Sequence, residues 1–387
     1  MTSTLRLGFV PLLDAAPLII AAEMGFAEAE GLQFELHHAA SWAMLRDMLD
    51  FGQVDAAQML SVLPVARALG LGGGHQGLET PMVLSLNGQV IGLSPALAGQ
   101  LRNAGHSFDF KDATTAGRML GGRQIRIGVP FPFSMHSELL HYWIDALGLP
   151  AETLAVRTIP PPLMADAISA QEIDAFCVGE PWGSHAVEKS NAELLLPGTA
   201  IWSAAPEKVL ATRTGWCEAH PDLAGRMLRA LWRAGRWLSA PQNHATAAAL
   251  LARQDYLNVA ADLIDRALSG QILISPIGPE INVPQFIDFH AGVTNFPWRS
   301  QAGWIGSRLA ARHGLDPAMA QSHARAIFRS DLYRLHLGAE GVPMPRTSDK
   351  TEGGIDHATP MPATRGSLIL QHNRFFDGQK FDPDLPD

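Results

Sequence analysis

Five residues beside predicted turns could together form a binding site for a small anion. Trp42 and His136 each occupy the first turn of a predicted helix, where unpaired backbone N–H groups and the helix dipole favour negative charge. Gly88 and Gln89 lie at a glycine interruption in a predicted strand, where the backbone could approach a ligand closely. Lys208 lies in a short turn before an apolar strand and could supply the counter-ion.

Each of these residues also has an ordinary structural interpretation. Trp42 suits core packing, because large aromatic side chains are mostly buried. A lone histidine such as His136 is usually structural, and a lysine in a turn, such as Lys208, is normally a solvated charge. The residue types alone therefore leave both interpretations open.

The helix that begins near Trp42 has clear local signals. Ser41 can cap its N-terminus, and Asp47 and Asp50 with Arg46 would line its polar side. Apolar residues recur at helical spacing, which predicts that the opposite side packs on a sheet. These residues are Met44, Leu45, Met48 and Leu49.

The unit that contains this helix occurs twice in the chain. A strand with Gly8 near its end resembles a strand with Gly128, 120 positions later. Asp55 precedes a short apolar run, and Asp174 does the same 119 positions later. Two copies favour two α/β lobes of similar build that face each other across a cleft. Ligands of open parallel sheets bind beyond the carboxyl ends of the strands, which is where the candidate residues are predicted.

Composition limits the classes of function. The chain has 387 residues, of which 47% are hydrophobic and 17% charged, so sizeable cores in two or three domain-sized units are expected. A formal net charge of −9 argues against direct binding of nucleic acid. Cys177 and Cys217 are the only cysteines, which excludes a disulfide framework and a cysteine metal cluster. The 15 histidines form no convincing ligand pair, so neither a metal nor a cofactor is predicted.

The ends and the apolar runs predict a cytoplasmic protein with no membrane segment. Residues 1–4 lead directly into a strand without a basic region, a long apolar region or a cleavage site. The longest apolar run, residues 15–22, is too short to cross a membrane. The alternative is that an export signal was removed.

The predicted crossovers between the lobes and a change in composition at residue 341 divide the chain into segments. The predicted segments are 1–94 in the first lobe, 95–200 in the second lobe, 201–340 as a helical return to the first lobe, and 341–387 as a tail packed on the body. The aromatic residues Phe375 and Phe376 predict that the tail is docked.

Several motifs resemble those of the nitrate and bicarbonate binding proteins of bacterial ABC importers. Within that family the chain is most similar to the NasS-type cytoplasmic nitrate/nitrite sensors. The matching segments are residues 8–17, 40–43, 86–89, 159–162, 178–182 and 206–210. The resemblance spans nearly the whole chain and implies an α/β, two-lobed periplasmic-binding-protein (type II) fold with a ligand cleft between the lobes.

The resemblance also implies the ligand and its site. It assigns the nitrate site to Trp42, Gln89, His136 and Lys208, with backbone near Gly88. In the bicarbonate-binding relatives an acidic residue that helps to hold calcium replaces the lysine, so Lys208 favours nitrate and no metal. Nothing is transformed, so no catalytic residue is assigned.

The implied output is control of nitrate-assimilation genes. NasS-type sensors hold an RNA-binding antiterminator of the NasT (ANTAR) type and release it on nitrate or nitrite, without touching nucleic acid or membrane themselves. One alternative is the nitrate-binding component of an importer. A second is a pyrimidine-synthesising enzyme of the same fold, which would need a cysteine-rich motif that two separated cysteines cannot build. A third is a transcription-factor effector domain, but no helix-turn-helix module precedes Leu5.

Overall fold

The computed structural model describes residues 2–385. Its strands alternate with helices through most of the chain. The strands are β1 (Ser3–Phe9), β2 (Leu32–His38), β3 (Ala56–Leu60), β4 (Leu78–Asn87), β5 (Gln89–Leu93), β6 (Ile125–Val129), β7 (Leu154–Thr158), β8 (Ala175–Gly179), β9 (Glu193–Pro197), β10 (Pro206–Arg213), β11 (Gln271–Leu273), β12 (Glu280–Asn282), β13 (Ile287–Asp288), β14 (Thr359–Pro362) and β15 (Ser367–Leu370).

The helices cover the faces of the sheets. They are α1 (Ala16–Glu23), α2 (Phe26–Ala29), α3 (Trp42–Asp50), α4 (Val62–Ala68), α5 (Pro95–Asn103), α6 (Ala113–Leu120), α7 (Met135–Ala146), α8 (Met164–Ser169), α9 (Trp182–Ser190), α10 (Trp216–Ala219), α11 (Pro221–Leu238), α12 (His244–Leu251), α13 (Ala261–Ser269), α14 (Arg299–His313), α15 (Pro317–Ile327) and α16 (Ser330–Gly338). Within residues 2–385, none of the helices is both long and apolar enough to cross a membrane.

Two sheets form the cores of two lobes, as the repeat predicted. Lobe I is built on a six-stranded sheet in the order β13-β4-β10-β3-β1-β2, and lobe II on a five-stranded sheet in the order β7-β6-β8-β5-β9. In lobe I, β1 pairs in parallel with β2 and β3, and in lobe II β6 pairs in parallel with β7 and β8. The two halves of the repeat therefore fold into equivalent three-stranded units.

The repeated aspartates make the same contact in both lobes. The backbone N–H of Arg6 donates to Asp55 Oδ2 at 2.9 Å, and its guanidinium donates to Oδ1 at 2.9 Å. The backbone N–H of Arg126 donates to Asp174 Oδ2 at 3.0 Å, and its guanidinium donates to Oδ1 at 2.6 Å. Each aspartate thus joins the entry of one strand to its parallel neighbour, which explains why the repeat preserves its position.

The repeated glycines let a neighbouring element pack closely on the strand. A Cβ at Gly8 would lie 2.4 Å from the side chain of Leu45 in α3, and one at Gly128 would lie 2.9 Å from Ile173. Neither strand tolerates a larger residue there without moving its neighbour. In lobe I, this contact fixes α3, and with it Trp42, against the sheet.

Three details of the sequence prediction are wrong. Met44 is 46% exposed, because it lies on the outer side of α3. Asp50 is buried and pairs with Arg67 at 2.5 Å instead of lining a polar surface. The crossover between lobes lies at Asn87 and Gly88, not after residue 94, because β5 pairs with β8 and β9 of lobe II. The positive φ angles of these two residues, 57° and 90°, break one long apolar run into two strands.

Asn87 also links the two segments that cross between the lobes, one before β5 and the other before β10. Its side-chain N–H donates to the carbonyl of Ser203 at 2.8 Å, and its side-chain oxygen accepts from the N–H of Ala205 at 3.2 Å. The outgoing segment before β5 and the returning segment before β10 are therefore held side by side. Gln89 and Lys208 follow these segments directly.

The C-terminal residues pack against both lobes. Phe375 stacks on Trp304 with 5.7 Å between ring centroids, and the Trp202 indole donates to Asn373 at 2.7 Å. The Tyr142 hydroxyl of α7 in lobe II donates to Asp377 at 2.8 Å. This segment thus contacts the returning crossover, α14 of lobe I and α7 of lobe II.

Candidate functional site

Lys208 lies at the centre of a buried ion cluster. Its Nζ atom is 2.8 Å from Asp14 Oδ2 and 2.7 Å from Glu207 Oε1, and all three side chains are buried. Glu207 and Lys208 are neighbours on β10, so their side chains would ordinarily point to opposite faces of the sheet. The register of β10 against β4 shifts on both sides of Lys208, and such an irregularity re-aims side chains.

Asp14 is held in place by a second buried side chain. It lies in a short 3-10 helix, Leu13–Ala15, just beyond the end of β1. Gln58 of β3 donates its amide N–H to Asp14 Oδ1 and accepts the backbone N–H of Val10 at 3.0 Å through its amide oxygen. Both oxygens of Asp14 are therefore occupied, one by Gln58 and one by Lys208.

Trp42 and His136 reach this cluster from the two lobes. Each occupies the first turn of its helix, and a serine caps each helix, Ser41 for α3 and Ser134 for α7. The Nζ atom of Lys208 lies 5.4 Å from the Trp42 ring centroid, within the range of a cation–π contact. His136 Nδ1 lies 3.2 Å from Glu207 Oε1, although the angle does not satisfy a hydrogen bond.

We name this group the Lys208 cluster. Its members are Asp14, Trp42, His136, Glu207 and Lys208. The structure therefore brings together three of the five residues that the sequence predicted.

Gln89 lies on β5 of lobe II, and its amide packs against Gly198, where an added Cβ would lie 2.6 Å from Nε2. Gln89 pairs with Gly179, where an added Cβ would lie 3.5 Å from Asp14 Oδ2 and 3.8 Å from His136 Nε2. Because Gly179 has no side chain, the two lobes can approach each other closely at this point. Within the described chain, neither amide atom of Gln89 has a hydrogen-bond partner, although the side chain is fully buried.

Gly88 has contacts of a different kind. A Cβ at this position would lie 2.9 Å from the side chain of Ile287, and its carbonyl accepts the N–H of Glu180 at 2.9 Å. These contacts with Ile287 and Glu180 hold the crossover segment in place. That Gly88 also contacts a ligand stays a prediction.

Burial and mutual attraction set the charges of the cluster. Burial raises the pKa of Glu207 to about 7 and also raises the pKa of Asp14, while Lys208 opposes both changes. Burial alone would lower the pKa of Lys208, but the two carboxylates outweigh it and raise that pKa. Burial and the charge of Lys208 lower the pKa of His136 well below its usual range. Lys208 is therefore charged and His136 neutral.

Several buried polar atoms at the site remain unpaired. Among residues 2–385, no hydrogen-bond partner is present for the Trp42 indole N–H, the Gln89 amide N–H or either ring nitrogen of His136. An unsatisfied buried polar group costs about 1–3 kcal/mol. A small ligand whose atoms only accept hydrogen bonds would satisfy the Trp42 and Gln89 donors and the neutral imidazole N–H, and Lys208 would supply its positive charge.

Sequence reasoning missed Asp14, Glu207 and Gln58. Asp14 stands alone among the apolar residues 12–22, and a single carboxylate in such a run is a signal of a buried partner. Glu207 gave no comparable signal, because an acidic residue beside a lysine on a strand normally faces the opposite side. Only the β10 irregularity brings it into the cluster.

We expect ligand binding to be independent of added metal. In the described part of the chain, no three His, Cys, Asp or Glu side chains converge as metal ligands, and Lys208 lies between the two carboxylates where a cation would have to sit. Calorimetric titration with nitrate is therefore expected to give the same affinity with and without a chelator. Binding that disappears with chelator and returns with calcium would contradict this.

Comparison with known proteins gives consistent results. The model of the NMT1-like family matches residues 1–252. The nitrate/nitrite binding protein NrtA of Nostoc sp. is 30% identical over 399 residues, covering 100% of this chain and 84% of that protein. The nitrate import ATP-binding protein NrtC of Synechococcus elongatus is 30% identical over 389 residues, covering 99% of this chain but 54% of that protein, so the chain spans about half of this relative.

A solved structure extends the comparison to the fold. The crystal structure of the periplasmic nitrate-binding protein NrtA from Synechocystis PCC 6803 superposes with a TM-score of 0.83 at 25% identity. The match covers 99% of this chain and 96% of that chain. The predicted two-lobed periplasmic-binding-protein fold is therefore confirmed.

Proposed function

This chain belongs to the NMT1-like family, and we propose that it binds nitrate or nitrite at the Lys208 cluster. The observation that carries the proposal is one buried lysine together with the buried N–H groups of Trp42, Gln89 and His136, which have no partner among residues 2–385. Nitrate is a flat, weakly hydrated monoanion that only accepts hydrogen bonds. It needs a cation, several donors and an apolar wall that excludes water.

Three members of the cluster and Gln89 divide these tasks. Lys208 supplies charge, Gln89 and His136 supply donors, and Trp42 supplies its indole N–H together with an apolar wall. Because both lobes contribute, the anion would be enclosed when they come together. These are tasks of binding and require no chemical change, so we propose that the protein is not an enzyme.

Isothermal titration calorimetry with nitrate, nitrite and bicarbonate tests this function. Saturable binding of nitrate or nitrite that weakens in His136→Ala is the expected result, with a loss of about 1–3 kcal/mol for one buried donor. A matched control is His141→Ala, which removes a histidine of the same helix that lies outside the cluster. Binding of bicarbonate in preference to both nitrogen oxyanions would contradict the proposal.

We further propose that the protein acts in the cytoplasm as a sensor that holds a NasT-type antiterminator and releases it when nitrate or nitrite binds. The family resemblance supports this output, and the net charge of −9 supports a protein partner over direct contact with RNA. Contacts between α7 and α14 join the two lobes, so a surface that spans both would respond to occupancy.

Size-exclusion chromatography of this protein with a NasT-type protein tests the sensor proposal. The complex is expected in nitrate-free buffer and is expected to dissociate when nitrate is added. Linkage requires that the partner weaken nitrate affinity by the same factor. A complex that is indifferent to nitrate would contradict the sensor role.

The alternative is the nitrate-binding component of an ABC importer. The names of the relatives favour it, since one is a periplasmic nitrate-binding protein and another a nitrate import ATP-binding protein. In that case nitrate-loaded protein would stimulate the ATPase activity of a reconstituted permease, and a location outside the cytoplasm would be found by fractionation. The two assays, run with the same preparation, separate the two roles.

A further inference from the structure

When both of its carboxylates are ionised, the Lys208 cluster contains more negative than positive charge before any anion enters. Two carboxylates, Asp14 and Glu207, share the single ammonium group of Lys208. His136 adds no charge, because burial and Lys208 lower its pKa. A further titratable group that senses Glu207 is the thiol of Cys177 on β8, whose pKa is raised well above its usual range by burial and, to a smaller extent, by the charge of Glu207. A bound monoanion would therefore add a second uncompensated negative charge in a buried site.

The two carboxylates differ in their hydrogen bonds. Both oxygens of Asp14 are bonded, to Gln58 and to Lys208. Glu207 uses Oε1 for Lys208, whereas its buried Oε2 has no partner among the described residues. If a nitrate ion bound next to it, an ionised Oε2 would repel the anion and could not donate a hydrogen bond to it. The same oxygen with a proton would be a hydrogen-bond donor.

We propose that Glu207 binds a proton from solvent when nitrate binds, and that its Oε2–H group then donates a hydrogen bond to the anion. The proposal rests on the proposed nitrate-binding function. It makes Glu207 a ligand-contacting residue that matches the charge of the site to a monoanion. No bond other than this O–H bond forms or breaks, and the proton comes from water or buffer.

The direction of the pH dependence follows from the carboxyl group. Burial raises the pKa of Glu207 to about 7, so below that pH the proton is already present and binding takes up little. Above it, each nitrate would bring in about one proton, and the apparent Kd would rise about tenfold per pH unit. Affinity is therefore greatest at or below neutral pH.

Calorimetry in pairs of buffers with different ionisation enthalpies measures this proton directly. For the wild type, uptake is expected to rise from near zero at pH 6 to nearly one proton per nitrate at pH 8. Glu207→Gln keeps the shape and supplies a permanent N–H donor, so its affinity is expected to be flat with pH and its uptake near zero. Glu138→Gln is the matched control, because burial also raises the pKa of Glu138 to about 7 while its partner is Arg312.

Infrared difference spectroscopy of the wild type adds a measurement that needs no variant. At pH 8 a protonated carboxyl C=O band is expected to appear when nitrate is added. Nitrate binding without proton uptake, or uptake that persists in Glu207→Gln, would overturn the proton assignment and leave nitrate binding intact. Absence of nitrate binding at both pH values would overturn the proposed function as well.

Discussion

Replacing Lys208 with alanine is expected to nearly abolish nitrate binding. Loss of one member of a desolvated ion pair costs about 2–5 kcal/mol, and each 1.4 kcal/mol is about tenfold in Kd. The loss is large because Lys208 is fully buried and is the positive charge that both carboxylates contact. Without it, an incoming anion would meet Asp14 and Glu207 alone. Calorimetric titration of the folded variant measures the effect.

Lys350 provides a matched control for this substitution. Like Lys208 it is a largely buried lysine that pairs with a glutamate, Glu352, and lies 5.4 Å from a tryptophan ring centroid. It is not part of the Lys208 cluster, so Lys350→Ala is expected to lose stability and keep its nitrate affinity. Circular dichroism of both variants verifies the fold. Wild-type affinity in Lys208→Ala would show that the assigned site is wrong.

The parts of the fold that sequence could predict are those fixed by local or repeated patterns. Asp55 and Asp174 recur at the same place because each accepts a hydrogen bond from the backbone N–H of an arginine in the neighbouring parallel strand. The repeat itself therefore predicted the two lobes. Ser41 does cap α3, as its position before Trp42 indicated. Residues at the ends of strands and the starts of helices converge by topology, which is why Trp42, His136 and Lys208 meet.

The remaining features depend on geometry that no local pattern encodes. Glu207 joins the cluster because the pairing of β10 with β4 is irregular around Lys208. The alternation of side chains along a strand does not reveal where such a shift in pairing occurs. The crossover at Gly88 was misplaced because the apolar runs on either side look like one lobe's strand. The charge balance around Lys208 depends on Asp14, which is far from it in the sequence and contacts it only in the folded protein.

Replacing Arg312 with alanine is expected to destabilise the protein strongly, because it removes the cation of a buried carboxyl group. Arg312 of α14 in lobe I donates to Glu138 of α7 in lobe II at 2.5 Å, and Glu138 is 1% exposed at its side chain. Leaving such a carboxyl without its partner costs about 3–5 kcal/mol.

Urea denaturation with and without nitrate measures this change. Arg308→Ala is the control on the same helix, because its partner Asp145 is about half exposed and a surface pair contributes about 0.2–1 kcal/mol. Similar losses of unfolding free energy in the two variants would contradict a special role for the Arg312–Glu138 pair.

The pH dependence of the Arg312 variant distinguishes a lost ion pair from simple loss of packing. Burial already raises the pKa of Glu138 to about 7, against the opposing charge of Arg312. The folded protein therefore holds a proton that the unfolded chain has released, and stability falls as pH rises from about 4.5, the ordinary glutamate value, through the folded pKa. Without Arg312 the pKa of Glu138 in the folded protein is higher still, so the free energy of unfolding continues to fall up to a higher pH. The loss in Arg312→Ala is thus expected to be larger at pH 8 than at pH 6, whereas a packing defect would cost the same at both.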